Sequence, residues 1–213
     1  MDKQYAIFDM DGTLVDSMPY WCSLAREYLE KKGVKDVSVA ILDQIRPMTM
    51  TESGSLFIRE YGFSCTPEDV ADEMNAMMVA HYRTDVPLKS GAKEYLSRLK
   101  ARGVRMCVAS ATAEPLMEIC LDRLGVLGYF DFLISCETVG VGKNRPDVYL
   151  EAARRLGGAP ERTAVYEDAV FAAKTAKTAG FYVVGVYDES ADAHWADLMR
   201  LADETICDFK EEV

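Results

Sequence analysis

Long hydrophobic runs are missing from this 213-residue chain. No apolar stretch approaches the ~20 residues that a bilayer-spanning helix needs, so no membrane partner is expected. Met1-Asp2-Lys3-Gln4 leads directly into a short β-rich run and not into the apolar core of a signal peptide, which predicts a cytoplasmic location. Positive charge is also scarce: 24 basic against 35 acidic residues leave a net charge of -11. That balance disfavours nonspecific binding to nucleic acid polymers or anionic membranes, and an anionic substrate must then meet local cations. The six cysteines (Cys22, Cys65, Cys107, Cys120, Cys136 and Cys207) show no CxxC or other metal-ligand spacing. Apolar stretches such as Val104-Arg105-Met106-Cys107-Val108 predict reduced, mostly buried thiols. Two histidines, His81 and His194, belong to no recognisable constellation and are expected to be structural. There is no internal repeat and no low-complexity stretch.

What is present is enough apolar content, 49%, to bury a substantial core. Short β-rich runs recur at Tyr5 to Phe8, Val104 to Ala109, Phe132 to Ile134, Thr163 to Tyr166, Phe181 to Val186 and, more weakly, Thr205 to Cys207. Helical patterns ending at glycines lie between them, such as Ala92, Tyr95, Leu96 and Leu99 before Gly103. Alternation of this kind predicts an α/β fold, a mostly parallel Rossmann-like sheet with helices on both faces. Between the first and second strands only helical patterns occur. One opens at Ser17 and Pro19 and puts Trp21, Leu24, Ala25, Tyr28 and Leu29 on its apolar face. Another opens at Thr66-Pro67, an N-cap followed by proline at the first helical position, and runs through Val70, Met74, Met77 and Met78. The sequence thus predicts a Rossmann-like core of residues 1-14 and 88-213 and an inserted all-helical cap of residues 15-87.

The first strand ends in Asp9-Met10-Asp11-Gly12-Thr13-Leu14. Two carboxylates two residues apart then stand at the carboxyl edge of a parallel sheet, where α/β folds place ligands. Gly12 suits a turn that brings backbone amides close to an anion. This segment resembles the first motif of the haloacid dehalogenase-like hydrolase superfamily, and segments like its other motifs follow in order. Ser110, after Val108-Ala109, resembles the second. Lys143, in Gly142-Lys143-Asn144-Arg145-Pro146-Asp147-Val148-Tyr149, resembles the third, although Asn144 stands where proline commonly follows the lysine. Glu167-Asp168, after Ala164-Val165-Tyr166, resembles the fourth.

The resemblance implies a phosphomonoester hydrolase in which Asp9 is the nucleophile, forming an aspartyl phosphate, and Asp11 is the proton carrier. Thr13 and Ser110, with Ala111 beside it, are implied to hold phosphate oxygens, and Lys143 to give a fixed positive charge to the phosphoryl group and the nucleophile. Mg²⁺ is the implied cofactor, held by Asp9, the Asp11 carbonyl and Asp168, with Glu167 supporting or joining them. The electrostatics agree with such a set. At 4 Å a like-charged pair costs about 1 kcal/mol in water and about 4 at an effective dielectric of 20, so a phosphate dianion beside these acids needs cations.

Within the family it resembles, an acid at the Asp11 position implies oxygen leaving groups, because the dehalogenases lack it and the phosphonate-cleaving members commonly carry a different residue there. The implied partner is a small phosphate ester, and the protein is expected to be a monomer or weak dimer. A sugar-phosphate mutase resembling β-phosphoglucomutase would use the same residues, but the cap loop around Ile45 to Glu52 lacks the glycine-containing pattern expected of one. A noncatalytic binding protein on the same fold is a third reading, against which all the motif residues are present. Arg46 could bind a second anionic group and Tyr20 and Trp21 could stack on a ring, but surface charge and helix core explain these residues equally well.

Overall fold

Apolar runs of three to six residues form the strands, separated by helices that carry one buried stripe each. The computed structural model describes residues 3–45, 48 and 50–212; Arg46 lies outside them. In chain order the elements are β1 (Tyr5–Phe8), α1 (Met18–Lys31), α2 (Val39–Ile45), α3 (Met50–Tyr61), α4 (Pro67–Thr84), α5 (Ala92–Ala101), β2 (Arg105–Ser110), α6 (Glu114–Arg123), β3 (Leu133–Ser135), α7 (Cys136–Val139), α8 (Asp147–Leu156), β4 (Thr163–Glu167), α9 (Val170–Thr178), β5 (Tyr182–Val186), α10 (Asp192–Leu201) and β6 (Glu204–Ile206).

Among the described residues the strands form one six-stranded, wholly parallel sheet of order β3-β2-β1-β4-β5-β6. The chain winds outward from β1 in one direction through β2 and β3, then crosses back to β4 on the other side. The reversal leaves a crevice beyond the carboxyl ends of β1 and β4, the topological switch point at which such sheets bind ligands. Register brings Phe8 beside Val108 and Tyr166, so the segment after Phe8 and the segment after Tyr166 emerge side by side.

Successive residues of β1 serve opposite faces. Ile7 joins Cys107, Val165 and Val183 against Tyr149, Ala152 and Leu156 of α8 and Ala173 and Ala176 of α9. Phe8 instead stacks on Tyr166, ring centroids 4.1 Å apart, and the Tyr166 hydroxyl meets that of Tyr95 on α5 at 2.8 Å. Burial on both faces explains why these strands read as continuous apolar runs with no polar alternation.

The contacts divide the chain into two compact units, Met1–Met18 with Val86–Val213, and Pro19–Asp85. Residues 15–18 and 86–87 go with the sheet unit for a backbone reason: Val15 bridges Leu88 and the Asp16 amide donates to the Pro87 carbonyl at 2.9 Å. In the helical unit Leu24, Ala25, Tyr28 and Leu29 of α1 are buried, while Trp21 is half-buried and donates its indole N–H to the Tyr82 hydroxyl at 3.1 Å. α4 starts at a complete capping box, the Thr66 hydroxyl accepting from the Asp69 amide and the Asp69 carboxylate accepting from the Thr66 amide.

The cysteine expectation needs correction. Cys107, Cys120 and Cys136 are buried, but Cys65 is half-buried and Cys22 and Cys207 are exposed. Cys22 falls on the solvent face of α1, and Cys207 follows β6, the edge of the sheet. The buried Cys120 thiol is pushed up to about 11 by desolvation, which keeps it protonated and inert. None of the described helices is long and apolar enough to cross a membrane.

Candidate active site

Asp9 follows the last residue of β1, and its amide still donates to the Tyr166 carbonyl at 3.0 Å. It is therefore fixed next to the end of β4, which carries Glu167 and leads into Asp168. A tight turn follows, in which the amides of Thr13, Leu14 and Val15 all donate to the Met10 carbonyl. Gly12 in that turn has φ +79, and a Cβ there would lie 2.5 Å from Asp168 Oδ2. Glycine is required at this position on both counts: the backbone is left-handed, and the space belongs to a carboxylate.

Asp9, Glu167 and Asp168 each offer a ligand oxygen within 4.8 Å of the others. All three residues are buried. Lys143, also buried, donates to Asp9 Oδ1 and, at 2.7 Å, to Glu167 Oε1. The same Glu167 oxygen accepts from the Tyr149 hydroxyl at 2.6 Å, and Asp168 Oδ1 accepts from the Thr13 hydroxyl at 3.2 Å.

Three carboxylates thus face one ammonium. Burial lifts Asp9 well above the usual carboxylate range, and the charges of Glu167 and Asp168 add to this against the pull of Lys143. Asp168 is pushed up to about 7, by burial first and the Glu167 charge second. Lys143 is opposed by its own burial, yet Asp9 and Glu167 hold it above the ordinary lysine value, so it stays charged. Burial and the adjacent Glu167 keep the Tyr149 hydroxyl protonated as a donor. Negative charge is in surplus at the centre of the site. An all-oxygen donor set with that surplus fits a hard divalent cation.

Asp11 stands apart from this cluster. Its two carboxylate oxygens accept from separate hydroxyls, Oδ1 from Ser17 at 2.6 Å and Oδ2 from Thr112 at 2.6 Å, with Ser110 Oγ at 3.5 Å from Oδ2. The Ser110 hydroxyl also accepts from the Thr112 amide at 3.1 Å. One acid is therefore held among hydroxyls and three are held around a lysine.

The structure brings Asp9, Asp11, Thr13, Ser110, Lys143, Glu167 and Asp168 to one sheet edge, as their order in the sequence implies. Ala111 follows Ser110 there with an exposed side chain. Asn144 does not displace Lys143, because the Arg145 amide donates to the Gly142 carbonyl at 3.1 Å and closes a turn around it. Three participants had no assigned role in the sequence: Tyr149, Thr112 and Ser17. Tyr149 had a usable signal, since it sits two residues into a helix that opens directly after the Lys143 turn.

A parallel sheet with an acidic cluster and a buried lysine at its switch point forms a site suited to a hard cation beside an anionic substrate. Residues 4–180 match the model of the haloacid dehalogenase-like hydrolases, and the chain belongs to that family. It is 29% identical to the fructose-1-phosphate phosphatase of Escherichia coli over 87% of this chain and 98% of that protein. It is 27% identical to the mitochondrial (DL)-glycerol-3-phosphatase 1 of Arabidopsis thaliana over 98% of this chain and 72% of the relative, and 29% identical to hexitol phosphatase B of E. coli over 78% and 75%. Among solved structures, a Thermotoga maritima protein provisionally described as a β-phosphoglucomutase superposes with a TM-score of 0.82 at 25% identity, covering 95% of this chain and 94% of that one. A family hydrolase from Deinococcus radiodurans gives 0.73 at 26% identity over 99% and 93%. The family and these relatives together support a phosphatase.

Proposed function

We propose that the protein is a Mg²⁺-dependent phosphomonoester hydrolase working through an aspartyl phosphate on Asp9, with a small phosphorylated polyol or sugar as substrate. The observation that carries this reading is the buried cluster of Asp9, Glu167 and Asp168 around Lys143, with Asp11 held separately by hydroxyls. The substrate class is taken from the relatives.

Magnesium held by Asp9, Asp168, the Asp11 carbonyl and Glu167 supplies positive charge that offsets the clustered acids and the incoming phosphate. The chain's own residues do the rest. An Asp9 carboxylate oxygen attacks phosphorus while the bond to the ester oxygen breaks, and Asp11 gives that leaving oxygen a proton. Asp11 then takes a proton from water as the water oxygen attacks phosphorus, releasing phosphate and restoring the Asp9 carboxylate. Lys143 holds Asp9 in place and neutralises part of the charge on the transferring group; Thr13 and Ser110 are assigned to its oxygens. The helical unit, inserted between β1 and β2, is assigned as the cap that selects substrate.

Purified protein with Mg²⁺ is expected to release inorganic phosphate from members of a panel of small phosphomonoesters, and Asp9→Asn to lower turnover by several powers of ten while the fold persists. Retention of more than about a tenth of the activity would remove Asp9 as nucleophile. The likeness to the Thermotoga structure favours one second reading, a sugar-phosphate mutase. Isomerised sugar phosphate, dependent on a bisphosphate primer and formed without free phosphate, would establish it.

A further inference from the structure

We infer that Tyr149 is a positioning residue of this site, one that fixes the Glu167 carboxylate and through it Lys143 and the metal-binding set. This rests on the function proposed above.

The hydroxyl of Tyr149 donates to Glu167 Oε1 at 2.6 Å, and Lys143 Nζ donates to the same oxygen at 2.7 Å. Both donors converge on one oxygen of a carboxylate that is 1% exposed. Lys143 Nζ also lies 5.8 Å from the centre of the Tyr149 ring, so the ring limits one side of the ammonium while its hydroxyl limits the carboxylate. Lys143 in turn donates to Asp9. A continuous chain of contacts therefore leads from Tyr149 through Glu167 and Lys143 to the nucleophile.

The placement of Tyr149 is rigid. It is fully buried on α8, with its ring edge-on to Phe181 at 6.2 Å, and belongs to the apolar core between α8 and the sheet. A tyrosine hydroxyl also has a chemical advantage over a second lysine or arginine here. It hydrogen-bonds the carboxylate without adding positive charge, so the site keeps the excess of negative charge that attracts a divalent cation. Outer partners that orient ligating carboxylates commonly change metal affinity or activity by about 10–100-fold when removed.

Tyr149→Phe keeps the ring and deletes one oxygen. With the parent protein's Mg²⁺ affinity measured by calorimetry and its turnover by phosphate release, the variant is expected to bind Mg²⁺ about tenfold more weakly and to lose about tenfold in kcat, with KM for the phosphoester changed less than threefold. A double-mutant cycle with Glu167→Gln separates positioning from packing. If Tyr149 acts through Glu167, Tyr149→Phe costs little further affinity in the Glu167→Gln background. Full additivity, or a single variant within threefold of the parent in both Mg²⁺ affinity and kcat, would overturn the inference. Should Tyr149→Phe alone fail to fold because Glu167 loses a buried donor, the double variant, with the charge removed as well, is expected to recover. A double variant no better folded than the single one would equally count against it. A parent that binds no Mg²⁺ and releases no phosphate would overturn the proposed function itself, an outcome distinct from a parent that does both and is matched by its variant.

Discussion

Gly12 shows how a single backbone position can govern the chemistry of a residue 156 places away. Its φ of +79 and the 2.5 Å separation between a built Cβ and Asp168 Oδ2 act together. Gly12→Ala is therefore expected to lower stability by about 1–3 kcal/mol through left-handed strain and to weaken Mg²⁺ binding about tenfold by displacing Asp168. Chemical unfolding and calorimetric Mg²⁺ titration check the two effects separately. A variant that unfolds earlier yet binds Mg²⁺ like the parent would mean that Asp168 moves without consequence for the metal. The strand-end acids and Gly12 were legible as local signals, whereas Ser110 and Lys143 stood out only through the order of motifs that the family resemblance supplies. Thr112 and Ser17 carried no signal as partners, and Tyr149 carried only its place just after the Lys143 turn. Thr112 reaches Asp11 across 101 positions because β2 lies beside β1, and Tyr149 reaches Glu167 across 18 because α8 packs onto the sheet beside β4.

Helices α1 and α4 are tied at one place by a charged cluster. His81 on α4 is hydrogen-bonded through Nε2 to Glu27 on α1 at 3.0 Å and through Nδ1 to Asp85 at 2.9 Å, with the Tyr20 ring 4.8 Å away. Lys31 pairs with Glu27 at 3.0 Å. Burial opposes protonation of His81, but Asp85 and Glu27 outweigh it and hold the imidazole above its ordinary value of 6.5. The sign then follows. A raised histidine stabilises the folded form fully below about pH 6.5, and that contribution is lost as pH rises through the folded value. Stability of the helical unit is expected to fall over that window in the parent and not in His81→Asn, as measured by unfolding midpoints at a series of pH values in constant salt. An unchanged slope in the variant would show that other groups set the dependence. His81 was read from the sequence as structural, and its role in joining two helices agrees. Strand positions were legible to within a residue or so, since runs buried on both faces advertise themselves. The strand order was not, because a parallel connection of any length leaves open which neighbour a strand takes.

Taken whole, the molecule concentrates a large share of its electrostatic problem in one unit. The net charge of -11 is spread over the chain, but the buried surplus of carboxylates lies in Met1–Met18 and Val86–Val213. A cation that binds the folded site and not the unfolded chain must stabilise that unit by RT ln(1 + [L]/Kd), about 2.7 kcal/mol at a hundredfold excess over Kd. Mg²⁺ is therefore expected to raise amide-exchange protection in β1 and β4, where the Asp9 amide meets the Tyr166 carbonyl, while α1 to α4 of the helical unit change little. Sodium chloride at matched ionic strength controls for general screening of the acidic surface. Asp168→Asn sharpens the outcome. Removing one of three clustered carboxylates relieves repulsion, so the variant should be at least as stable as the parent without Mg²⁺ and should gain much less when it is added. An equal gain in parent and variant would place the stabilising ion elsewhere, and equal protection of both units would mean that they unfold as one.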